Sequence, residues 1–203
     1  EFGPGLDGEV HFISQGDRPA VGGVSDLESW ILSVLAKRRT RIFEFGTCTG
    51  KTTYHLARNS PADARIVTLT LPPEGHGAYA ASDRDDKEHG EIALRESRFT
   101  EFLYTGTEAA GKVEQLYGDS KALDDAPHAG SFDLIFVDGS HAHSYVVSDT
   151  EKALRMVRPG GIVLWHDYRP KVPGVFRHLN ELSKRLPLVH LARTSLVAYR
   201  KPG

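Results

Sequence analysis

The segment from Arg41 to Thr52 constrains the fold more than any other part of the sequence. A short apolar run, typical of a buried strand, leads into a turn that contains Gly46 and Gly50, and a helical pattern begins near Lys51. Glycine at these two positions permits a positive φ and lets a ligand approach the main chain, while the first turn of the helix presents unpaired N–H groups. This order of strand, glycine turn and helix predicts a binding site for a polar or anionic ligand.

Spacing and one acidic residue distinguish two kinds of site that are built on such a turn. A phosphate-binding P-loop has four residues between its first glycine and the next, whereas only three separate Gly46 from Gly50 here, and Phe45 stands where the glycine is required. The strand instead carries Glu44 near its end, and a carboxylate there can pair with a cationic amino-acid portion of a ligand. The pattern Glu-x-Gly-x-x-x-Gly resembles motif I of the class I S-adenosylmethionine-dependent methyltransferases.

Length, charge and cysteine content limit the kind of protein this can be. The 203 residues favour a single domain over 1–203, in which 1–24 would be an N-terminal extension. A net charge of −2 without a basic stripe favours a small-molecule partner over a nucleic acid, and no apolar run approaches the ~20 residues of a membrane span. A single cysteine, Cys48, and the absence of a secretory signal favour the cytoplasm. The first residue is not Met, which indicates a processed chain or one domain of a larger protein.

Strands and helices alternate along the rest of the sequence. A capping box at 25–28 begins an amphipathic helix whose apolar residues recur at helical spacing: Leu27, Trp30, Ile31, Val34 and Leu35. Beyond the first strand, we expect strands over 65–71, 113–117, 132–139 and 162–165, a turn at 158–161, a helix over 175–186 and a hairpin of 188–192 with 196–200. The pattern predicts an α/β fold, a Rossmann-like, open, mostly parallel, seven-stranded sheet with helices on both faces and a C-terminal antiparallel hairpin. Residues 72–112 are either a lid, with one short helix, or an insertion, and both interpretations remain open.

Ionisable residues follow several of these strands. The ligand of such a sheet binds beyond the carboxyl ends of its strands, so the residues found there should face one crevice. They are Glu44, Asp119, Asp138, His141, His166 and Asp167. Several acids at one edge repel one another unless a cation or a proton is present. The acidic residue that usually binds ribose hydroxyls after the second strand is absent, and Thr70 stands there instead.

The segment from Phe132 to Tyr168 is similar to small-molecule O-methyltransferases grouped with the macrolide-sugar enzymes, in which an Asp-Gly-x-His motif and a later His-Asp or Asp-Asp pair adjoin the methyl acceptor. Here the motif lies at 138–141 and the pair at 166–167. The resemblance implies that S-adenosylmethionine is bound by residues that follow the strands: Glu44, Gly46, Thr47, Gly50, Thr70, Asp119, Ser120 and Asp138. It also implies that Asp138, His166 and Asp167 bind Mg²⁺ or another divalent cation.

The chemistry of methyl transfer to oxygen agrees with this set of residues. A hydroxyl is a poor nucleophile until its proton leaves, and a hard cation lowers the pKa of that hydroxyl. His141, with an intrinsic pKa near ~6.5, can accept the proton close to Asp138. The predicted function is metal-assisted O-methylation of a small hydroxylated molecule, a sugar or natural product, with His141 and Asp138 as catalytic residues. Structural roles remain open: Asp138 as a helix cap, Asp119 in a turn, His141 at a helix start and 166–167 as a structural pair.

Two other functions also remain open. Gly50-Lys51-Thr52 and the run at 134–138, which is similar to a Walker B strand, suggest a nucleoside-triphosphatase despite the missing glycine. Thr70 at the usual acidic position suggests, as a further alternative, a methyltransferase-like domain that binds without turnover. The sequence does not specify the methyl acceptor, and it leaves a homo-oligomer open.

Overall fold

The computed structural model describes residues 7–12, 23–74, 79–83 and 85–203, and within them seven strands form one sheet. The strands are β1 (Arg41–Phe45), β2 (Arg65–Thr70), β3 (Val113–Tyr117), β4 (Phe132–Val137), β5 (Val157–Trp165), β6 (Val189–His190) and β7 (Val197–Arg200). Their order is β3-β2-β1-β4-β5-β7-β6, with β1 to β5 parallel and β7 antiparallel to both β5 and β6. The predicted open, mostly parallel sheet with an antiparallel hairpin is confirmed.

Helices cover both faces of the sheet. The α-helices of the described residues are α1 (Asp26–Ala36), α2 (Lys51–Asn59), α3 (Lys87–Glu96), α4 (His143–Met156) and α5 (Pro173–Leu182). Successive residues of β4 face opposite sides, so that Phe136 packs in one cluster with apolar residues of α1 and α2, and Ile135 packs in another with those of α4 and α5. All 6 residues of β4 are buried, which is why this strand reads as an unbroken apolar run.

The buried face of α1 differs from the one that its apolar spacing predicted. Leu27 and Trp30 are each 42% exposed, whereas Glu28 and Ser33 are buried. The reason is that polar partners lie beneath the helix: the hydroxyl of Ser33 donates to a carbonyl of the segment 7–12, and Glu28 accepts hydrogen bonds from several groups. The capping box itself is confirmed, because the main-chain N–H of Ser25 donates to Glu28 and its hydroxyl accepts from the N–H of Glu28.

A bulge within β5 replaces the turn predicted at 158–161. Pairing with β4 holds at Val157 and again from Ile162, which leaves residues 158–161 opposite Asp133 alone. Gly160 takes a φ of 74° in this bulge. The residues therefore bend the chain as expected, but the chain returns to the same strand afterwards. The prediction of a separate turn was wrong because hydrogen bonding across the sheet is not visible in local sequence.

The segments predicted as an extension and as a lid or insertion are partly described. Residues 7–12 pack on α2, where the main-chain N–H of His11 donates to Nε2 of His55 at 3.0 Å. Residues 72–112 contain α3 and a 3₁₀ helix over Glu108–Lys112. Positions 1–6, 13–22, 75–78 and 84 lie outside the described residues. In the part of the chain that is described, no helix combines the length and apolar character needed to cross a membrane.

Candidate active site

A cleft opens at the carboxyl ends of β1 to β4, where the sequence predicted the ligand. It encloses about 540 Å³ of empty space, including its opening to solvent. Its walls come from the turn after β1, the ends of β2 and β3, the loop after β4, and helices α3 and α4. The predicted residues that line it are Gly46, Thr70, Ser120 and Asp138. Lining residues that were not predicted include Cys48, Tyr79, Glu96, Tyr145 and Asp149.

The glycine turn is held tightly against the loop that follows β4. Gly46 has a φ of +94°, and a Cβ at this position would overlap the main-chain carbonyl of Asp138. The N–H of Asp138 donates to the carbonyl of Phe45 at 2.9 Å, and the N–H of Gly46 donates to the carbonyl of Leu69 at 2.9 Å. Glycine is therefore required at position 46 both by the backbone conformation and by the approach of a neighbouring loop.

Three residues predicted to bind the cofactor lie behind this turn and do not line the cleft. Glu44 is 0% exposed, and its Oε2 accepts hydrogen bonds from the hydroxyls of Thr53 at 2.5 Å and Thr68 at 2.7 Å. Thr47 is buried and bonded through Oγ1 to Thr68, and a Cβ on Gly50 would press against an aromatic ring. Burial raises the pKa of Glu44 to about 8. Oε2 of Glu44 is thus bonded to α2 and β2, whereas its Oε1 has no hydrogen-bond partner among the described residues, and binding of the cofactor by Glu44 stays a prediction.

Asp138, His141 and Asp167 form a compact cluster on the β4 and β5 side of the cleft, which we call the acid–histidine group. One potential ligand atom of each residue lies within 4.8 Å of the other two. Nε2 of His141 lies 2.9 Å from Oδ2 of Asp167. Asp167 takes a φ of 59°, a left-handed conformation that Asp tolerates and that is enriched at functional sites. The sequence predicted that all three residues face one crevice, but it named Asp138, His166 and Asp167 as the metal ligands and assigned His141 as a base.

His166, which was predicted as a metal ligand, lies behind the acid–histidine group. It is 3% exposed, and both ring nitrogens have carboxylate neighbours. Nδ1 lies 2.9 Å from Oδ1 of Asp138 and 3.2 Å from Oδ2 of Asp167, and Nε2 lies 3.4 Å from Oε2 of Glu28. With both nitrogens engaged in this way, His166 orients Asp138 and has no free nitrogen for a ligand atom.

Neighbouring charges shift the pKa values of this site in opposite directions. Burial lowers the pKa of His141, but the hydrogen bond to Asp167 and the charge of Asp138 outweigh burial and raise it overall. Burial opposes the shift of Asp167, yet His141 and His166 lower the pKa of that carboxyl. Burial raises the pKa of Asp138 more than His166 lowers it. The site therefore attracts positive charge, whether a proton or a cation.

The opposite end of the cleft, at the end of β3, is more aromatic. Asp119 accepts hydrogen bonds from the N–H of Lys121 and from the hydroxyl of Tyr145, both at 2.9 Å, so each of its oxygens is engaged. Ser120 lines the cleft beside it. The ring of Tyr145 stacks on Tyr79 with centroids 4.6 Å apart and planes inclined by 5°. This end offers flat apolar surface next to polar main chain.

Helices carry the lining residues that sequence reasoning missed. Glu96 comes from the last turn of α3, within a mixed-charge stretch that gave no pattern. Asp149 lies four residues after Tyr145 on the buried side of α4, and an acid on an apolar helix face was a detectable signal. Cys48 lines the cleft with its pKa raised to about 12 by burial, so the thiol stays protonated.

Comparisons with known proteins agree with this geometry. A family model described as a methyltransferase domain matches residues 43–168. The chain is similar to a catechol O-methyltransferase from Niastella koreensis, with 28% identity over 160 residues, which is 75% of this chain and 60% of that protein. The chain therefore spans less than two thirds of the length of this relative.

Solved structures show the same fold. The O-methyltransferase TomG from Streptomyces achromogenes, involved in tomaymycin synthesis and solved with SAM, has a TM-score of 0.57 and 24% identity, covering 91% of this chain and 84% of that one. A putative caffeoyl-CoA O-methyltransferase from Staphylococcus aureus has a TM-score of 0.61 and 17% identity, covering 90% and 86%. The family match spans the strands that build the cleft, from β1 to the end of β5. The chain belongs to the family of methyltransferase domains.

Proposed function

We propose that this chain transfers a methyl group from S-adenosylmethionine to a hydroxyl of a small molecule, with a divalent cation at Asp138 and Asp167. The observation that carries the proposal is that the acid–histidine group lies beside the turn at Gly46, both at the carboxyl edge of the sheet. The similar proteins are named as O-methyltransferases, one of catechol and one from tomaymycin synthesis. The acceptor class we propose is a hydroxylated natural product or sugar.

The residues that line the cleft fit S-adenosylmethionine. Gly46 has no side chain above the turn, so a methionine portion can lie across the main chain there, with its ammonium group toward Asp138. Thr70 offers a hydroxyl at the end of β2, where ribose lies in related folds. The aromatic end near Ser120 and Tyr145 is then left for the adenine.

The acid–histidine group also fits a divalent cation. The carboxylate oxygens of Asp138 and Asp167 are ligands that suit Mg²⁺ or Mn²⁺, which leaves His141 to act as the base. Held by Asp138 and Asp167, a cation would lower the pKa of an acceptor hydroxyl. His166 and Glu28 support Asp138 from behind, as residues around metal ligands commonly do.

His141 is the base in this proposal. Nε2 of His141 donates to Oδ2 of Asp167 at 2.9 Å, so the ring accepts the proton of the acceptor hydroxyl at Nδ1, and Asp167 stabilises the imidazolium that results. The acceptor oxygen forms a bond to the methyl carbon while the carbon–sulfur bond breaks, which leaves S-adenosylhomocysteine. The walls of the cleft contribute by holding oxygen, carbon and sulfur in line.

Calorimetry with S-adenosylhomocysteine tests cofactor binding, and mass analysis after incubation with S-adenosylmethionine, Mg²⁺ or Mn²⁺ and a panel of catechols and hydroxylated sugars tests transfer. We expect Asp167→Asn to keep binding S-adenosylhomocysteine and to lose metal-dependent transfer by about 100-fold. Asp83→Asn, at an exposed acid, is the matched control and should change neither. No binding at millimolar S-adenosylhomocysteine would refute the proposal.

Two alternative functions, a nucleoside-triphosphatase and a non-catalytic binding module, can be weighed against the structure or tested by experiment. Nζ of Lys51 donates to the carbonyl of Val24 at 3.0 Å and the residue is 2% exposed, so this lysine does not face a phosphate in the cleft. That argues against a nucleoside-triphosphatase. If the chain binds S-adenosylhomocysteine but methylates nothing in a broad panel with metal supplied, a non-catalytic binding module becomes the better proposal. The cytoplasmic location and a homo-oligomer stay predictions.

A further inference from the structure

Glu96 is an acid in the wall of the cleft that the proposed chemistry does not use. It is the last residue of α3, and it lines the cleft together with Cys48 and Asp138. Its carboxylate lies within range of the charges of all three members of the acid–histidine group. Burial raises the pKa of Cys48, and the charges of Glu96 and Asp138 add to this effect. Glu96 therefore faces the end of the cleft where we place methyl transfer.

Glu96 faces the acid–histidine group without joining it. One potential ligand atom from each of Asp138, His141 and Asp167 lies within 4.8 Å of the other two, and no oxygen of Glu96 belongs to that set. A cation held by Asp138 and Asp167 therefore satisfies those two carboxylates and leaves the carboxylate of Glu96 on the other side of a gap. The acceptor must enter this gap to reach the cation and His141.

The packing of α3 holds Glu96 in this position. Ser97, the next residue, is 3% exposed, and its hydroxyl donates to a carbonyl of the same helix at 2.9 Å. Gly90 lies against the ring of Tyr79, since a Cβ on this glycine would be 3.3 Å from a ring carbon. Tyr79 stacks in turn on Tyr145 of α4. Because α3 is joined in this way to the opposite wall of the cleft, the acid is in place before a ligand arrives.

We infer that Glu96 binds an ammonium group of the methyl acceptor, so that the preferred acceptor carries an amine as well as the hydroxyl that is methylated. This inference rests on the proposed function and narrows its acceptor class to amino sugars and amine-bearing catechols. A carboxylate accepts charge-assisted hydrogen bonds from an ammonium group, and these are stronger than those from a neutral hydroxyl in the same place. A positive group also offsets the repulsion between Glu96 and the acids that it faces.

The test measures, by calorimetry, the binding of matched acceptors to the full chain with S-adenosylhomocysteine and Mg²⁺ present. Each pair differs only in an amine that replaces a hydroxyl: dopamine against hydroxytyrosol, and methyl 6-amino-6-deoxyglucoside against methyl glucoside. At about pH 8 an alkyl amine is protonated. We expect the unaltered chain to bind the amine-bearing member of at least one pair about tenfold more tightly, the effect of one charge-assisted hydrogen bond. Glu96→Gln should reduce this preference to about twofold or less, because an amide accepts from the ammonium group without a charge.

Glu91→Gln, at an exposed acid of the same helix, is the control and should keep the full preference. If the amine-bearing compound binds no more tightly than its analogue in either pair, the inference is overturned without any variant, while the proposed function survives. An unchanged preference in Glu96→Gln, with native circular dichroism, overturns it as well. A loss of affinity for S-adenosylmethionine or S-adenosylhomocysteine in this variant would overturn it by assigning Glu96 to the cofactor. Failure of the unaltered chain to bind S-adenosylhomocysteine at all would instead sink the proposed function.

Discussion

The carboxylate of Glu28 lies 3.4 Å from Nε2 of His166, although the two residues are 138 positions apart in the sequence. The same carboxylate completes the capping box of α1 with Ser25, and its other oxygen accepts from the N–H and the hydroxyl of Ser195 at 2.7 and 2.8 Å. His166 in turn contacts Asp138. One buried acid therefore joins the start of α1, the loop before β7 and the proposed catalytic cluster.

Loss of this carboxylate should destabilise the whole fold. Glu28→Ala leaves the buried N–H and hydroxyl of Ser195 unpaired and removes a charged neighbour of His166, so we expect the free energy of unfolding to fall by about 3–5 kcal/mol in urea titrations. Leu27→Ala, at an exposed position of the same helix turn, should cost under about 1 kcal/mol. Equal losses in both variants would contradict the role given to Glu28.

Gly46 should not tolerate a methyl group. Gly46→Ala introduces a Cβ that overlaps the carbonyl of Asp138 at a positive φ, and we expect a loss of about 3 kcal/mol or more together with weaker S-adenosylhomocysteine binding. Gly130→Ala is a matched control, because its φ is +62° but a Cβ there has no neighbour within 4 Å. It should cost only about 1 kcal/mol, and a similar cost at both positions would show that conformation alone matters.

Glu44 should make stability fall as pH rises. Burial raises the pKa of its carboxyl from an ordinary value of 4.5 to about 8, so between these two pH values the folded chain keeps a proton that the unfolded chain has released. The stability that the protonated carboxyl of Glu44 contributes is complete below pH 4.5 and is lost as the pH rises toward about 8. Glu44→Gln should therefore stabilise the chain at pH 9, by roughly 2 kcal/mol, and have little effect at pH 4.

Ligand binding by the same variant distinguishes the two roles considered for Glu44. The hydroxyls of Thr53 and Thr68 can accept from a glutamine amide, so Glu44→Gln should keep the turn and its affinity for S-adenosylhomocysteine. Glu44→Ala removes the support and should weaken both stability and binding. If Glu44→Gln loses affinity while remaining folded, the carboxylate contacts the cofactor after all.

The rate of methyl transfer should rise with pH through the titration of His141. A base must be neutral to accept a proton, and Asp167 and Asp138 raise the pKa of His141 against the effect of burial, so the inflection of kcat/KM should lie above ~6.5. His141→Gln should remove this rising limb and lower kcat by about 10²–10⁴-fold. His143→Gln, two positions further on, should keep the limb, and its loss there would reassign the base.

Thr70 invites a substitution that adds an interaction. Thr70→Asp places a carboxylate at the end of β2, where it can accept from both ribose hydroxyls, and we expect affinity for S-adenosylhomocysteine to rise about five- to tenfold. Thr70→Asn has a similar shape without the charge and should gain less. Weaker binding in both variants would mean that the ribose lies elsewhere in the cleft.

The sheet could be predicted because burial leaves a direct trace in the sequence. Most residues of β4 are apolar because helices cover both faces of this strand. The turn after β1 is recognisable from the spacing of Gly46 and Gly50. The buried face of α1 left no such trace. Glu28 looks like a capping residue in local sequence, and only the arrival of Ser195 and His166 beneath the helix makes its burial favourable.

The site could be predicted to the level of which strand ends meet, but not to the level of which atom faces which. Parallel strands bring Asp138 and Asp167 to one edge, as expected. His141 contacts Asp167 within the cluster, whereas His166 lies behind it against Asp138. This difference depends on the directions of the side chains and on the left-handed conformation of Asp167, and the spacing of residues in the sequence predicts neither. Asp149 and Glu96 were missed because helices deliver them to the cleft.

The hydrogen bond from Ser195 to Glu28 spans 167 positions. Such a contact closes a very long loop, and its entropic cost delays it until nearer contacts have formed. The cofactor end of the cleft, assembled from β1 to α4, needs no residue beyond 156. We therefore expect the walls of the cleft up to α4 to form before the contact between Ser195 and Glu28, which needs β7 to be paired with β5.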